Sequence, residues 1–553
     1  MGISPRRAVV RGSTTSKARP SAKKLAATKK KRVVAARSKD EDIGVAHRYF
    51  AAAPEDSRFY FRALGIRGGG AEIPPADGLP GGPPRGGETA VGEAPEDILS
   101  YGGSHQDQLQ GLLAVLATQE VQESMSDCEE IMSMQSRTGV IYATTRAKRW
   151  GFKGAGDPAW GNLGQGAPET GPIGGPERSL AVELDDETNE YGDVNGRRDL
   201  RDAVAQYYNH WFRQGKKSQY TAANVAIVPG GRAGLSRLMA SLHNVNVGYF
   251  LPDYTAYQQL LGEFTGVAPI AIAHDQDGLR TSPEHLRRQI QLHGLGAFLW
   301  SNPANPTGEP IEGDTLRQYV EIARQENTMM LMDEFYSHYM YEQDSSSGRP
   351  FHTLSSAEFV EDVNKDPICI VNGFTKNWRG WRCCWVVGPK HCIDVLGSIG
   401  SFMDGGTNNP LQKAAVPLLE PGFVEKDALA LQAHFREKRD YMVRELEAMG
   451  IKARVPKSTF YIWADVSALP PPLNNCVVFF EYCVRHKVIC VPGIFFDVNP
   501  FHRRRFHKSP YIDKLRMSYG PAWPNLKQAV KGMKEIIDLA KAGRLPPLGE
   551  PTD

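Results

Sequence analysis

With 553 residues, 41% of them hydrophobic and 23% charged, the chain exceeds one ordinary domain and carries enough apolar side chain for a sizeable core. Its net charge of +2 excludes a global electrostatic pull toward nucleic acid or membranes, and no stretch approaches the ~20 apolar residues a membrane-spanning helix needs. Eight cysteines without regular spacing make neither a disulfide framework nor a zinc pattern, and the absence of an apolar core near Met1 speaks against secretion.

Residues 1–39 carry lysines and arginines and no acid; Asp40 is the first. Such a segment stays disordered when alone. Three readings of it stand side by side. They are an organelle transit peptide, a basic arm around Lys29-Lys30-Lys31-Arg32, and a solvated tail without a role. The compartment follows as intracellular, either the cytoplasm or an organelle. Residues 67–97 are rich in Gly and Pro and read as a linker, and Leu109, Leu112, Leu113 and Leu116 predict a helix within 105–135. Residues 1–135 are therefore expected to form a largely disordered extension.

From about residue 136 short apolar runs alternate with helical stretches. The runs include Val225–Val228, Gly248–Leu251, Ala297–Trp300, Met329–Met332 and Ile368–Val371, each ending in a polar or Gly/Pro-rich segment. A helix is expected to begin near Leu235. This alternation predicts an α/β fold, a three-layer αβα domain whose mostly parallel sheet binds ligands at the carboxyl ends of its strands. Later runs (Phe460–Trp463, Leu515–Tyr519) point to a second, smaller α/β domain. The expected layout is an N-terminal arm and part of the small domain at 136–190, a large domain at 191–425 and a small domain at 426–545.

Polar residues sit where those runs end. Lys376 follows Ile368–Val371, and a lysine seated in a desolvated place has its amine freed for attack on a carbonyl. Asp333 follows Met329–Met332, where a buried carboxylate needs a cation, and Tyr336 lies three residues on. Asn305 is aimed by the Pro303-Ala304-Asn305-Pro306-Thr307-Gly308 turn. Gly231-Arg232-Ala233 lies between strand and helix, a place that favours phosphate. Tyr254 follows Pro252-Asp253 and can stack on an aromatic face or pack in the core. Arg382 lies six residues after Lys376 and suits a phosphate, while Arg516 suits a carboxylate. A lysine for an aldehyde, a carboxylate for a ring nitrogen, donors for a phosphate and a cation for a substrate together point to a pyridoxal phosphate (PLP) enzyme.

Residues 136–545 resemble the class I/II aminotransferases of PLP fold type I, the aspartate/tyrosine aminotransferase superfamily. The matching segments run in the family's order. They are Asn162–Glu169, Tyr191-Gly192 with Gly196 and Leu200-Arg201, Gly230–Gly234, Pro252–Tyr254, Asn305–Gly308, Asp333–Tyr336, Thr375-Lys376 and Arg516–Tyr519. The resemblance implies that Lys376 is the Schiff-base lysine and proton carrier, and that Asp333 is the partner of the pyridine nitrogen. It implies Tyr336 and Asn305 at the ring hydroxyl and Tyr254 as the stacking aromatic. It further implies Gly231, Arg232, Ala233 and Arg382 around the phosphate, and Arg516, Gly166 and Asn305 at the substrate. Tyr191 is implied to reach the phosphate of a neighbouring subunit, so a homodimer is expected. The implied activity moves an amino group from an amino acid to a 2-oxo acid. Rivals on the same fold are a lyase, a decarboxylase or an aminocyclopropane-carboxylate-synthase-like reaction; a regulatory or non-catalytic relative is a further one. The sequence departs from the family twice. Gly373 stands where a serine is usual, and the Lys376–Arg382 loop is two residues short, which leaves Arg379 as a second candidate for the phosphate.

Overall fold

In the computed structural model the described residues are 139–548, apart from 155, 179–180, 183, 343–346, 378 and 503–507. The expected extension, its linker and its helix lie outside them. Seven strands form the main sheet: β2 (Val225–Val228), β3 (Val245–Leu251), β4 (Val267–Ala273), β5 (Leu295–Ser301), β6 (Met329–Asp333), β7 (Ile368–Gly373) and β8 (Cys384–Val387). Their order is β2-β8-β7-β6-β5-β3-β4, and only β8 runs antiparallel to its neighbours.

Strands β2, β6 and β8 are buried along their whole length, as expected for a sheet covered on both faces. Alternation sorts the side chains. Leu299, Leu331, Val371 and Val386 enter one core; Phe298, Met330, Ile370 and Val387 enter the other. The helix Gly231–Ala240 supplies Leu235 and Leu238 to the first core, and the helices Arg198–Phe212 and Gly313–Glu326 supply Leu200, Val204, Leu316 and Tyr319 to the second.

A second, antiparallel sheet has the order β12-β13-β10-β9, built from β9 (Lys452–Ala453), β10 (Tyr461–Asp465), β12 (Val491–Pro492) and β13 (Lys514–Ser518). Two short strands, β1 (Gly161–Asn162) and β11 (Val488–Ile489), pair in parallel. The helix Pro421–Met449 ties the halves together, with Val424 and Ala428 in one core and Leu431, Phe435 and Met442 in the other.

Two details differ from the sequence expectation. The helix expected near Leu235 starts at Gly231, because Gly230 turns the chain at φ +104°, a region glycine enters without steric cost. Gly231 and Arg232 thus belong to the first helical turn. Strand β4 was not anticipated because Pro269 interrupts its apolar run; it is tolerated where β4 pairs with β3 alone, at the sheet edge.

Candidate active site

Register gathers the polar residues. Ser301 on β5 pairs with Asp333 on β6, and Asp333 pairs with Val371 on β7, so parallel strands end at one edge with Lys376 just beyond. Asp333 is buried, and Tyr257 donates its hydroxyl hydrogen to Asp333 Oδ2 at 2.8 Å. Burial pushes the Asp333 carboxyl up to about 6, against the opposing pull of Tyr257 and the Lys376 charge. Burial likewise lowers the Lys376 amine to about 8, although Asp333 favours its charged form. Lys376 Nζ donates to Gly166 O at 2.9 Å and lies 4.9 Å from the centre of the Tyr336 ring.

Arg516 comes from the second sheet. It is buried, and its Nη1 donates to Asn305 Oδ1 at 3.0 Å while Nη2 donates to Gly164 O at 2.7 Å. Its Nε has no hydrogen-bond partner, and its guanidinium pairs with no carboxylate, among the described residues. A buried cation without a counter-ion is costly, so the site is shaped for an anion that arrives later. The Asn305 backbone N–H donates to Ser301 Oγ at 3.0 Å, and the Asn302 side chain brackets Ile311 through two hydrogen bonds of 2.8 and 2.9 Å. These contacts hold the turn that aims Asn305.

The start of the helix Gly231–Ala240 makes a second anion site. Arg232 Nη2 donates to the Tyr254 hydroxyl at 3.0 Å. Arg382 adopts φ +52° and lays its guanidinium against Gly230, where an added Cβ would collide with it. Neither arginine ion-pairs with a carboxylate among the described residues. Two guanidiniums beside the N–H groups of a first helical turn suit a phosphate dianion. The shortened loop therefore still delivers Arg382 to the start of the helix Gly231–Ala240; the Arg379 side chain lies outside the described set.

The loop itself is clamped. The Tyr339 hydroxyl donates to Lys376 O at 2.7 Å, Asn377 Nδ2 donates to Asp427 Oδ2 at 2.9 Å, and Arg178 bridges Asn377 O (3.1 Å) and Asp427 (2.8 Å). The missing serine has a steric reason. Gly373 has φ +152°, and a Cβ there would collide with the Cys384 backbone. Gly373→Ser is expected to destabilise the protein by about 1–3 kcal/mol, read as a lower Tm in thermal unfolding. An unchanged Tm would show that the Cys384 strand yields freely.

The structure thus brings together Lys376, Asp333, Tyr336, Asn305, Arg516 and Gly166, with Tyr254, Gly231, Arg232, Ala233 and Arg382 on the phosphate side. Tyr191 stands apart, its side chain 100% exposed. Two residues escaped the sequence reading. Tyr257, three residues after Tyr254, reaches Asp333. Tyr461 places its hydroxyl 2.6 Å from that of Tyr336. The Tyr254-x-x-Tyr257 spacing was a usable signal for the first; Tyr461 looked like an ordinary strand residue.

Comparison with known proteins shows the family and the fold. The family model described as "Aminotransferase class I and II" matches residues 161–518. An aspartate aminotransferase of Sulfurisphaera tokodaii is 24% identical over 391 residues, covering 68% of this chain and 90% of that protein. An aspartate/prephenate aminotransferase of Thermus thermophilus is 26% identical over 363 residues, covering 64% and 84%. Among solved structures, the Thermus thermophilus aspartate aminotransferase with maleate shares the fold at a TM-score of 0.58 and 20% identity, covering 75% of this chain and 99% of that one. The N-succinyldiaminopimelate aminotransferase of Mycobacterium tuberculosis does so at 0.59 and 20%, covering 74% and 99%.

Proposed function

The chain belongs to the class I and II aminotransferases, and from that premise we propose that Lys376, Asp333 and Arg516 are the centre of its PLP-dependent amino-group transfer, in an active site shared between two copies of the chain. The observation that carries this reading is the uncompensated charge. A buried carboxylate and a buried guanidinium flank one amine: Asp333 feels the Lys376 charge but makes no ion pair, and Arg516 pairs with no carboxylate, among the described residues.

PLP, when bound, supplies an aldehyde for the lysine amine and a cationic ring that accepts the electron pair left by a departing α-proton. The chain's own residues do the rest. Asp333 holds a proton on the ring nitrogen, since a pyridinium is the cation its buried carboxylate lacks. Tyr257 steadies Asp333 through its hydroxyl. Arg232, Arg382 and the first turn of the helix Gly231–Ala240, with Gly231 and Ala233, would hold the phosphate. Tyr254 would cover the ring face, and the Asn305 amide nitrogen, with its oxygen already committed to Arg516, would serve as a donor to the ring oxygen. Arg516 receives the substrate carboxylate bidentately. Lys376, with its amine lowered to about 8, is partly unprotonated near neutral pH and serves as the base that moves the α-proton. The fully exposed Tyr191 is free to enter the site of a second copy, which motivates the homodimer.

The named relatives act on aspartate, so aspartate heads the donor panel for this chain. The PLP-loaded protein should convert aspartate or another amino acid to its 2-oxo acid beyond one equivalent per site only when a 2-oxo acid acceptor is present. Arg516→Ala should raise the KM for the amino acid on the order of 10²-fold. Turnover without an acceptor would favour a lyase or decarboxylase, and an unchanged KM would remove Arg516 from the carboxylate site.

A further inference from the structure

Tyr461 touches most of this site yet belongs to none of its assigned parts. It sits on β10 and is buried; cross-strand pairs share a face, so its ring and Arg516 on β13 lie on the same side of the second sheet (Tyr461↔Ser518, Trp463↔Arg516). The Arg516 guanidinium lies 4.3 Å from the centre of the Tyr461 ring, a cation–π contact inside the protein. The Tyr461 hydroxyl is 2.6 Å from the Tyr336 hydroxyl, and the two rings meet edge to face at 5.5 Å. That hydroxyl also packs against Gly166, where any Cβ would collide with it; the carbonyl of Gly166 is the acceptor of the Lys376 amine. One phenol therefore contacts the carboxylate receiver, the ring-oxygen donor and the strap over the lysine.

We propose that Tyr461 is a positioning residue: its hydroxyl donates to Tyr336, turning the Tyr336 hydrogen toward the cofactor ring oxygen, while its ring holds Arg516 in place for the substrate carboxylate. This rests on the reading of the site given above. A tyrosine hydroxyl has one hydrogen and two acceptor lone pairs. If Tyr336 spends its hydrogen on the ring oxygen, the short contact with Tyr461 requires Tyr461 to donate. A donor that itself accepts a hydrogen bond is polarised into a stronger donor. The Arg516 charge reaches both phenols but lies against the Tyr461 ring and ranks higher among the influences there, so it stabilises negative charge building on the Tyr461 oxygen more than on that of Tyr336.

The consequence is readable in a titration. Donation to the ring oxygen favours its anionic form, so weaker donation moves the pH midpoint of the cofactor's visible band upward. The other charged or titratable groups facing the pair are Lys376, Asp333, Tyr254 and Arg516, with Arg232 and Cys384 acting on Lys376; all are retained in the variants compared.

The test uses the full-length protein loaded with PLP, as wild type, Tyr336→Phe and Tyr461→Phe. The last keeps the ring and removes one oxygen, so the fold and the cation–π contact survive. Three readouts are taken: the pH midpoint of the visible band, the Kd for PLP, and the KM for the amino acid. Tyr461→Phe is expected to raise the midpoint in the same direction as Tyr336→Phe and by less. Its Kd for PLP is expected to weaken by roughly 3–10-fold, the worth of one hydrogen bond, with KM nearly unchanged because the ring stays under Arg516. If Tyr336→Phe moves the midpoint and Tyr461→Phe leaves midpoint and Kd at wild-type values, Tyr461 is packing only and the inference falls alone. If wild type shows no visible band with PLP, the reading of the whole site falls and takes this one with it.

Discussion

Lys376→Ala is expected to abolish the visible absorbance of the PLP-loaded protein and to lower kcat by at least ~10³-fold. The magnitude follows from losing a positioned acid–base group, which alone contributes about 10²–10⁴-fold, together with the covalent hold on the cofactor. The expectation is specific to this amine because of its surroundings. Burial holds it near 8, and its donation to Gly166 O aims it across the cleft. Its backbone is pinned by Tyr339 on one side and by the Asn377–Asp427–Arg178 ring of hydrogen bonds on the other. An alanine removes the bond to Gly166 O but leaves the backbone pins intact, so thermal stability should change little while chemistry disappears. Spectrophotometry and a coupled assay on the same preparations check both halves of the statement. A variant that kept the band would move the attachment to another lysine.

Asp333→Asn should act with opposite signs on stability and on cofactor binding. Without a ring cation beside it, the folded carboxyl titrates at about 6, above its ordinary value of 3.8. A raised carboxyl means that the folded state binds the proton more tightly than the unfolded chain. Its stabilising contribution is present at low pH and is lost as pH rises through about 6. Above that pH the ionised group is a burden on the order of 3 kcal/mol to the cofactor-free protein, from a shift of about two units at ~1.4 kcal/mol each. Asp333→Asn should therefore raise the Tm of the cofactor-free protein at pH 8 and leave it nearly unchanged at pH 5. The same substitution removes the partner of the ring nitrogen. The Kd for PLP should weaken about 10²–10³-fold and kcat should fall with it. The stabilisation that PLP confers in thermal unfolding shrinks accordingly, since it scales with the logarithm of ligand over Kd. Thermal melts at two pH values, with and without PLP, separate the effects. A variant less stable than wild type at pH 8 without PLP would contradict the uncompensated-charge reading of Asp333.

Much of the site was legible because its parts sit at the ends of apolar runs. Asp333 ends β6 and Lys376 lies just beyond β7, and the near-continuous burial of those strands follows from their Met, Leu, Ile and Val residues. Asn305 was legible from the proline and glycine that shape its turn. What stayed hidden depends on approaches between distant segments. Tyr461 meets Tyr336 across 125 residues of chain, and Arg516 meets Gly164 across 352. No local pattern encodes either distance. The reason for Gly373 was equally invisible, since the collision that excludes a side chain comes from Cys384 on the neighbouring strand β8. Strand β8 itself, antiparallel to both β2 and β7, was not among the runs expected from the sequence. Arg382 was preferred over Arg379 on local likeness; its left-handed φ, which turns the guanidinium back toward Gly230, was not readable.

The central claim is that one amine, Lys376, carries the cofactor opposite Asp333. Borohydride reduction of the PLP-loaded full-length protein, followed by proteolysis and mass spectrometry, addresses it directly. The account predicts a single pyridoxyl group on the peptide containing Thr375-Lys376-Asn377. A label on any other lysine, or a protein that takes up none, would contradict it.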